Sequence, residues 1–383
     1  MKNIIVMFGG VSCEHDISVI TGVQTCLHLD RLKYRVLPVY LHTDGKWYSG
    51  DRLTEITYYK RFSPCDRGVF EVTLNSGSSV LYRRKGARLK SLCDVDCAVL
   101  CNHGLNGEDG TLQGLLQLHG IPYTSCGVFG SALGMDKAFS KMFFAAQGIR
   151  QVEWTAAKKS EFSEDRAAFV SGIAERLGFP VIVKPANLGS SIGIKVAHGE
   201  EELLEALDVG FQYDLKVIVE RALESFVEVN CSAVRYRGSI MVSELEQPMV
   251  WQDFLTFEDK YQGRKAGKSG RQGDAELPRE LVQQVRDTTY RIYDLLDLSG
   301  VVRADYMIKD GEVYFNELNT IPGSLAYYLW EKKGIPFSRL LDVIIEEAVA
   351  RHQERAKLTY VYRSDVLAGS GAPKGKAPQG TER

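Results

Sequence analysis

The sequence predicts an α/β protein of two or three packed units, and three stretches carry that reading. "KNIIVMF" is a short apolar run, followed by "GG", a helical pattern through "HDISVITGVQTCLHL" and a second apolar run, "YRVLPVYLH". Strand, glycine turn, helix, strand is the opening of a parallel α/β unit. Farther along, "FPVIVKPANLGSSIGIKVA" reads as strand, glycine-rich turn and strand. Near the C-terminal end "VVRADYMIK" and "EVYFNELN" alternate apolar with polar residues across Asp310-Gly311, a strong hairpin signal. A chain of 383 residues is too long for one simple core.

Composition narrows the class. The chain is 44% hydrophobic and 25% charged with a net charge of -2, as in a soluble globular protein. A near-neutral balance gives no support for nucleic-acid or anionic-membrane binding. The apolar run near the N-terminus, "IIVMF", is too short for a signal peptide or a spanning helix. Eight cysteines in so long a chain are not a disulfide framework, so a reducing cytoplasm is the expected setting. Cys93, Cys97 and Cys101 are evenly spaced but match no C-x-x-C zinc pattern, and they read as small core residues. A Cys101–His103 nucleophile pair has no other support in the sequence.

Residues 1–128 form the first expected unit. Its later strand, in "DVDCAVLCNHG", runs into the polar loop "NHGLNGEDGTLQG". Ligands of such sheets sit beyond the carboxyl ends of strands, where "FGGVSCEH" also emerges. Residues 129–220 form the second, with an amphipathic helix through "SALGMDKAFSKMFFAAQGI" ended by Gly148, the strand pair around the glycine–serine turn, a helix in "EELLEALDVGF" and a strand in "LKVIVERAL". Residues 221–351 form the third, with further strands, two helices and the hairpin. Inside it, residues 252–277 are polar and glycine-rich, and so long a loop in a compact domain is expected to be a lid. Residues 365–383 contain no aromatic and much Gly, Pro and Lys, and disorder is expected there.

Parity in the hairpin bears on function. A two-residue loop at Asp310-Gly311 turns Arg303 and Asp305 away from Glu317 and Asn319, whereas a loop of odd length puts all four on one face. The odd loop is the expectation. Two carboxylates and an amide oxygen sharing a face need a cation between them, and all-oxygen ligands suit magnesium; a solvated sheet face is the alternative. The turn "KPANLGSSIG" offers backbone N–H groups and hydroxyls to phosphate oxygens, with Lys184 within reach of the same anion. It is not a G-x-x-x-x-G-K-[ST] loop, and the chain has no G-x-G-x-x-G fingerprint. Together the acidic face and the turn suggest a nucleotide site.

"FGGVSCEHDIS", "HGLNGEDGTLQG", "SALGMDKAFSK", "VIVKPANLGSSIG", "VRADY" and "NELNTIPG" resemble, in order and approximate spacing, the D-alanine–D-alanine ligases of the ATP-grasp superfamily, from residue 4 to about 350. The resemblance implies an N-terminal α/β domain followed by a two-lobed ATP-grasp fold. It implies ATP-dependent joining of two D-alanines through an acyl phosphate, for peptidoglycan synthesis, by a cytoplasmic dimer. Lys137, Lys184 and the lid's Lys260 would hold phosphates, with Ser190 and Ser191 of the turn. Asp305, Glu317 and Asn319 would hold two magnesium ions, for which manganese can substitute. Arg303 and the Gly323 N–H would stabilise the acyl phosphate and the oxyanion. Glu220, with backbone near Arg221 and Leu223, would read adenine, and Glu228 the ribose. Glu14 would bind the first D-alanine's ammonium, His103 would lie near its carboxylate, and Ser190 and Tyr261 would hydrogen-bond with Glu14.

One departure touches the acceptor. The family usually follows Pro-Gly with Met or Phe and then Thr, and a serine five residues after the glycine holds the second substrate's carboxylate. Here Tyr328 falls in that slot, so the hydroxyl must come from Ser324 or Tyr328, and Ser324, on a short side chain next to Gly323, is the expected contact. Another acceptor (D-lactate, D-serine or a different amino acid) therefore stays open, as does a silent nucleotide-binding protein; Tyr261 favours an amino acceptor.

Overall fold

The computed structural model describes residues 1–248 and 277–361, in three sheets. The first comprises β1 (Lys2–Gly9), β2 (Tyr34–Leu41), β3 (Trp47–Ser49), β4 (Phe70–Leu74), β5 (Val80–Lys85), β6 (Arg88–Asp94) and β7 (Cys97–Leu100), in the order β6-β5-β4-β3-β2-β1-β7. β1 runs parallel to β2 and β7, and these are the three strands that the apolar runs mark. The rest of the sheet is antiparallel, so it is mixed rather than wholly parallel. β5 (VLYRRK) and β6 (RLKSLCD) are too charged to give a buried-strand pattern, and most of β6 is exposed. Central β1, by contrast, buries Ile4 to Phe8 completely, as a strand covered on both faces must.

At its carboxyl end β1 turns through Gly9 and Gly10, with φ of 84° and 111°, into α1 (His15–His28), placing Glu14 at the helix start. A Cβ on Gly9 would stand 2.4 Å from the Leu41 carbonyl oxygen, so only glycine fits. The loop after β7 leads into α2 (Thr111–Leu118). The single amphipathic helix expected next is two, α3 (Val128–Met135) and α4 (Lys137–Ala146). Asp136 breaks it: its backbone is extended, and its carboxylate accepts the Ala138 and Phe139 N–H groups at 3.1 Å, capping α4. Left-handed Gly148 (φ 72°) follows the end of α4 as expected.

The second sheet joins β8 (Trp154–Lys158), β9 (Val181–Pro185), β10 (Lys195–Ala197) and β11 (Lys216–Arg221) in the antiparallel order β10-β9-β11-β8. It shares a core with α5 (Lys159–Glu164), α6 (Arg166–Leu177) and α7 (Glu200–Tyr213). The third sheet is β12 (Val227–Tyr236), β13 (Ser239–Glu246), β14 (Val301–Lys309) and β15 (Glu312–Asn319), ordered β13-β12-β14-β15 and packed on the helix Arg279–Leu295. The C-terminal helix Phe337–Ala356 returns to the first sheet, where Leu340, Leu341, Ile344 and Ile345 share a core with Ile4–Phe8.

The β14–β15 hairpin corrects one expectation. Lys309 pairs with Glu312, so the loop is the two residues Asp310 and Gly311, both left-handed at φ 52° and 76°. It is not odd. The parity is reset farther down, because Asp305 pairs with Glu317 but Tyr306 with Phe315, which leaves Asn316 as an extra residue on β15. This β-bulge sets Arg303 opposite Asn319 and Asp305 opposite Glu317 on one face, while Tyr306, Phe315 and Leu318 enter the core on the other. The expected disordered tail and residues 252–276 of the expected lid lie outside the described residues.

Inserting one residue after Asn316 would keep a one-residue bulge only by pairing Glu317 with Ala304, which turns Glu317 and Asn319 into the core, where unpaired polar groups cost several kcal/mol. The variant is expected to unfold at a clearly lower temperature and to lose turnover. An insertion chain with wild-type melting and turnover would show that the register does not rest on a single bulged residue.

Candidate active site

The bulged hairpin presents a charge-balanced face. Arg303 donates from Nε and Nη2 to Asp305 Oδ1 and Oδ2, both at 2.7 Å, and Asn319 Nδ2 donates to Oδ2 at 3.0 Å. Lys137, at the start of α4, places Nζ 3.3 Å from Glu317 Oε2. Burial opposes the Arg303 charge, but Asp305 more than offsets it and holds the guanidinium ionised. Asp305 and Glu317 supply carboxylate oxygens, and Asn319 spends its amide N–H on Asp305, leaving its carbonyl oxygen for a ligand. This hard-oxygen set fits magnesium.

Beside that face lies a buried cluster of alternating charge. Lys184 Nζ is 2.7 Å from Glu220 Oε2 and 3.1 Å from the Asn316 side-chain oxygen, so the bulge residue links the second sheet to the third. Lys141 Nζ reaches Glu220 Oε1 at 2.9 Å, and both residues are only 1% exposed. Burial by itself would raise the Glu220 pKa; Lys141 and Lys184 instead draw it down to about 2. Arg221 is exposed with its N–H bonded to the Glu153 carbonyl at 2.9 Å, Leu223 follows at the strand end, and Glu228 sits opposite Met307 on β12.

The glycine–serine turn closes the other side. Lys137 Nζ donates to the Leu188 carbonyl at 2.7 Å, and Ser190 and Ser191 are both left-handed at φ 54° and 59°. The Ser190 hydroxyl donates to Glu14 Oε1, joining the turn to the start of α1. Gly104 and Gly189 flank the same carboxylate so closely that a Cβ on either would come within 2.8 Å of it.

His103 is buried with Nε2 2.9 Å from Thr21 Oγ1. Burial, reinforced by Arg303, pulls its pKa to about 4, so the ring is neutral at physiological pH. No Cys101–His103 pair forms: the Cys101 thiol donates to Thr25 Oγ1 at 3.3 Å, and burial pushes it up to about 12. Gly323 opens a short 3-10 turn, Gly323–Ala326, in which Ser324, Leu325 and Ala326 are all left-handed (φ 51°, 51° and 48°). The Tyr328 ring meets Tyr327 at 6.1 Å and lies within electrostatic range of Arg303. Lys260 and Tyr261 lie outside the described residues.

A family model described as the D-ala D-ala ligase N-terminus matches residues 3–126, and one described as the D-ala D-ala ligase C-terminus matches residues 143–346. The chain belongs to the D-alanine–D-alanine ligase family. It is 37% identical to the D-alanine–D-alanine ligase of Caldicellulosiruptor bescii, covering 93% of this chain and 97% of that one. It is 34% identical to that of Thermosipho africanus, covering 94% and 96%. Among solved structures it is similar to the ligase of Coxiella burnetii (TM-score 0.77, 27% identity, 93% and 96% covered). It is also similar to a D-Ala:D-Ser ligase of Enterococcus faecalis (TM-score 0.75, 27% identity, 91% and 99% covered). The family fold is the ATP-grasp architecture expected from the sequence motifs.

Sequence reasoning missed Lys141, Glu108, Asn316 and Thr21. Lys141 had a signal, since it stands one helical turn after Lys137 in "DKAFSK" and so shares its face. Glu108 lay unmarked in a polar loop; burial and the neighbouring Glu14 push its carboxyl up, while the N–H groups of Gly104 and Ile321 favour its charged form.

Lys141→Met keeps the volume and removes the cation, leaving Glu220 with one buried partner. Breaking such a pair costs about 3–5 kcal/mol, which denaturant unfolding would measure. A loss below about 1 kcal/mol would contradict the buried cluster's role.

Proposed function

We propose that the chain is an ATP-dependent D-alanine–D-alanine ligase that forms D-alanyl-D-alanine, ADP and phosphate for peptidoglycan precursor synthesis. One observation carries the reading: the face of Arg303, Asp305, Glu317 and Asn319 adjoins Lys137 and Lys184 on one side and, through the turn, the Ser190–Glu14 pair on the other. Phosphate-neutralising and ammonium-binding groups thus converge, as a reaction between a nucleotide and an amino acid requires.

In this reading Lys137 and Lys184, with Lys260, hold the phosphates, and the turn at Ser190–Ser191 covers them. Glu220 and the backbone near Arg221 and Leu223 take the adenine, and Glu228 the ribose. Glu14, steadied by Ser190, binds the ammonium of the first D-alanine. Its carboxylate attacks the γ-phosphorus, ADP leaves, and Arg303 stabilises the acyl phosphate. The second D-alanine's amino group, having lost a proton, then attacks the carbonyl carbon. Arg303 and the Gly323 N–H stabilise the oxyanion until phosphate departs. Two magnesium ions on Asp305, Glu317 and Asn319, replaceable by manganese, would supply further neutralisation of the phosphate oxygens. A neutral His103 can orient the first substrate's carboxylate by a hydrogen bond but brings it no charge.

Family grounds also support a cytoplasmic homodimer. Among the described residues no helix is long and apolar enough to cross a membrane.

The acceptor end has two candidate hydroxyls. Ser324 is the contact expected from the sequence, but the electrostatic interaction between Tyr328 and Arg303 favours Tyr328 as the contact to the second carboxylate instead. The departure of this loop from the usual family sequence favours a second reading, in which D-alanine is joined to another acceptor such as D-serine or D-lactate.

Phosphate release from ATP with D-alanine, D-serine or D-lactate as acceptor distinguishes the readings. The first predicts the highest kcat/KM with D-alanine alone, and a chain that releases phosphate only with another acceptor would overturn it. Tyr328→Phe is expected to raise KM for the second D-alanine roughly tenfold, about the value of one hydrogen bond to a charged group, and to leave KM for ATP alone. If instead Ser324→Ala has that effect and Tyr328→Phe none, Ser324 is the contact.

A further inference from the structure

The loop between β7 and α2 holds a second buried carboxylate that the reading above does not use. Glu108 is 9% exposed, and its two oxygens go to different parts of the chain. Oε2 accepts the Gly104 N–H at 2.8 Å, and Oε1 accepts the Ile321 N–H at 3.0 Å. Gly104 directly follows His103 and lies against Glu14, where a Cβ would stand 2.7 Å from Glu14 Oε2. Ile321 lies two residues before Gly323. One carboxylate therefore bridges the wall of the ammonium subsite and the loop that carries the oxyanion N–H.

Other ties act on the same loop. The Ile321 carbonyl lies beside the His103 ring as an acceptor. The Ser324 N–H donates to Thr21 Oγ1 at 3.0 Å, and that oxygen is 2.9 Å from His103 Nε2. All come from the first sheet's helix and loop and end between Ile321 and Ser324. The next residues, Leu325 and Ala326, are left-handed without being glycine, a conformation that persists only where the surroundings impose it. The loop is held from outside, and Glu108 grips it nearest Gly323 on its N-terminal side.

Resting on the ligase reading, we propose that Glu108 is a positioning residue whose two-oxygen grip fixes the distance between the first-substrate loop and the Gly323 N–H. Misplacing a reacting group by about 1 Å can cost about a hundredfold in rate. An apolar residue would fill the space; only a carboxylate accepts both N–H groups.

Glu108→Gln preserves size but offers one acceptor oxygen, so one N–H is left unpaired. Turnover, normalised to nucleotide sites counted by ADP titration, is expected to fall ten- to hundredfold, with KM for ATP within twofold of wild type. Glu108→Asp, one methylene shorter, is expected not to restore it. A purely structural role would lower the count of sites and leave turnover per site unchanged, and that result would overturn the proposal. Should Glu108→Gln fail to fold, Thr21→Val removes the tether at Ser324; the same selective fall is expected, and wild-type turnover per site would overturn it. Failure of the ligase reading is distinguishable: the unsubstituted chain would then release no phosphate with D-alanine.

Discussion

The Asp305 carboxylate is the group on which the site depends, because three conditions must hold before it can sit where it does. It is 3% exposed, so it needs a cation, which Arg303 supplies in a two-bond fork. It needs a donor on its flank, which Asn319 supplies from the neighbouring strand. Asn319 and Glu317 reach that side of the sheet only because Asn316 bulges out of register. Because Asn316 stays out of the ladder, the hairpin keeps one apolar face and carries a balanced set of charges on the other.

The same bulge connects that face to the second sheet. Lys184 touches both Asn316 and Glu220, and Glu220 is fixed from behind by Lys141. Two lysines about one buried carboxylate leave the cluster with an excess of positive charge, suited to a polyanion arriving between the sheets. The first sheet contributes the opposite sign: the Glu14 carboxylate lies against Gly104 and Gly189, where an ammonium would be received. In the proposed function, this difference in sign sorts nucleotide and amino acid to opposite ends of the site.

Much of this was legible in the sequence, and the misses have physical causes. Apolar runs located β1, β2 and β7 because these parallel strands are largely buried; β5 and β6 escaped because their charged residues are exposed. The shared face of Asp305 and Glu317 was anticipated correctly but for the wrong reason. Asp310-Gly311 formed the tight two-residue turn that its composition favours, and the parity change came from Asn316, whose residue type announces no bulge. The break between α3 and α4 was readable in principle, since Asp136 followed by a helical run is a capping signal. Lys141 and Glu108 could not be assigned without the fold, because their partners lie 79 and 213 residues away.

The hairpin face is proposed to receive the metal-bound nucleotide, and manganese binding tests this without reference to turnover. Mn2+ would be titrated into the full chain in the presence of a non-hydrolysable ATP analogue and followed by electron paramagnetic resonance. Two nucleotide-dependent Mn2+ sites are predicted for the wild-type chain, with at least one lost in Asp305→Asn and in Glu317→Gln while the fold persists. Wild-type Mn2+ binding in both variants would contradict the account.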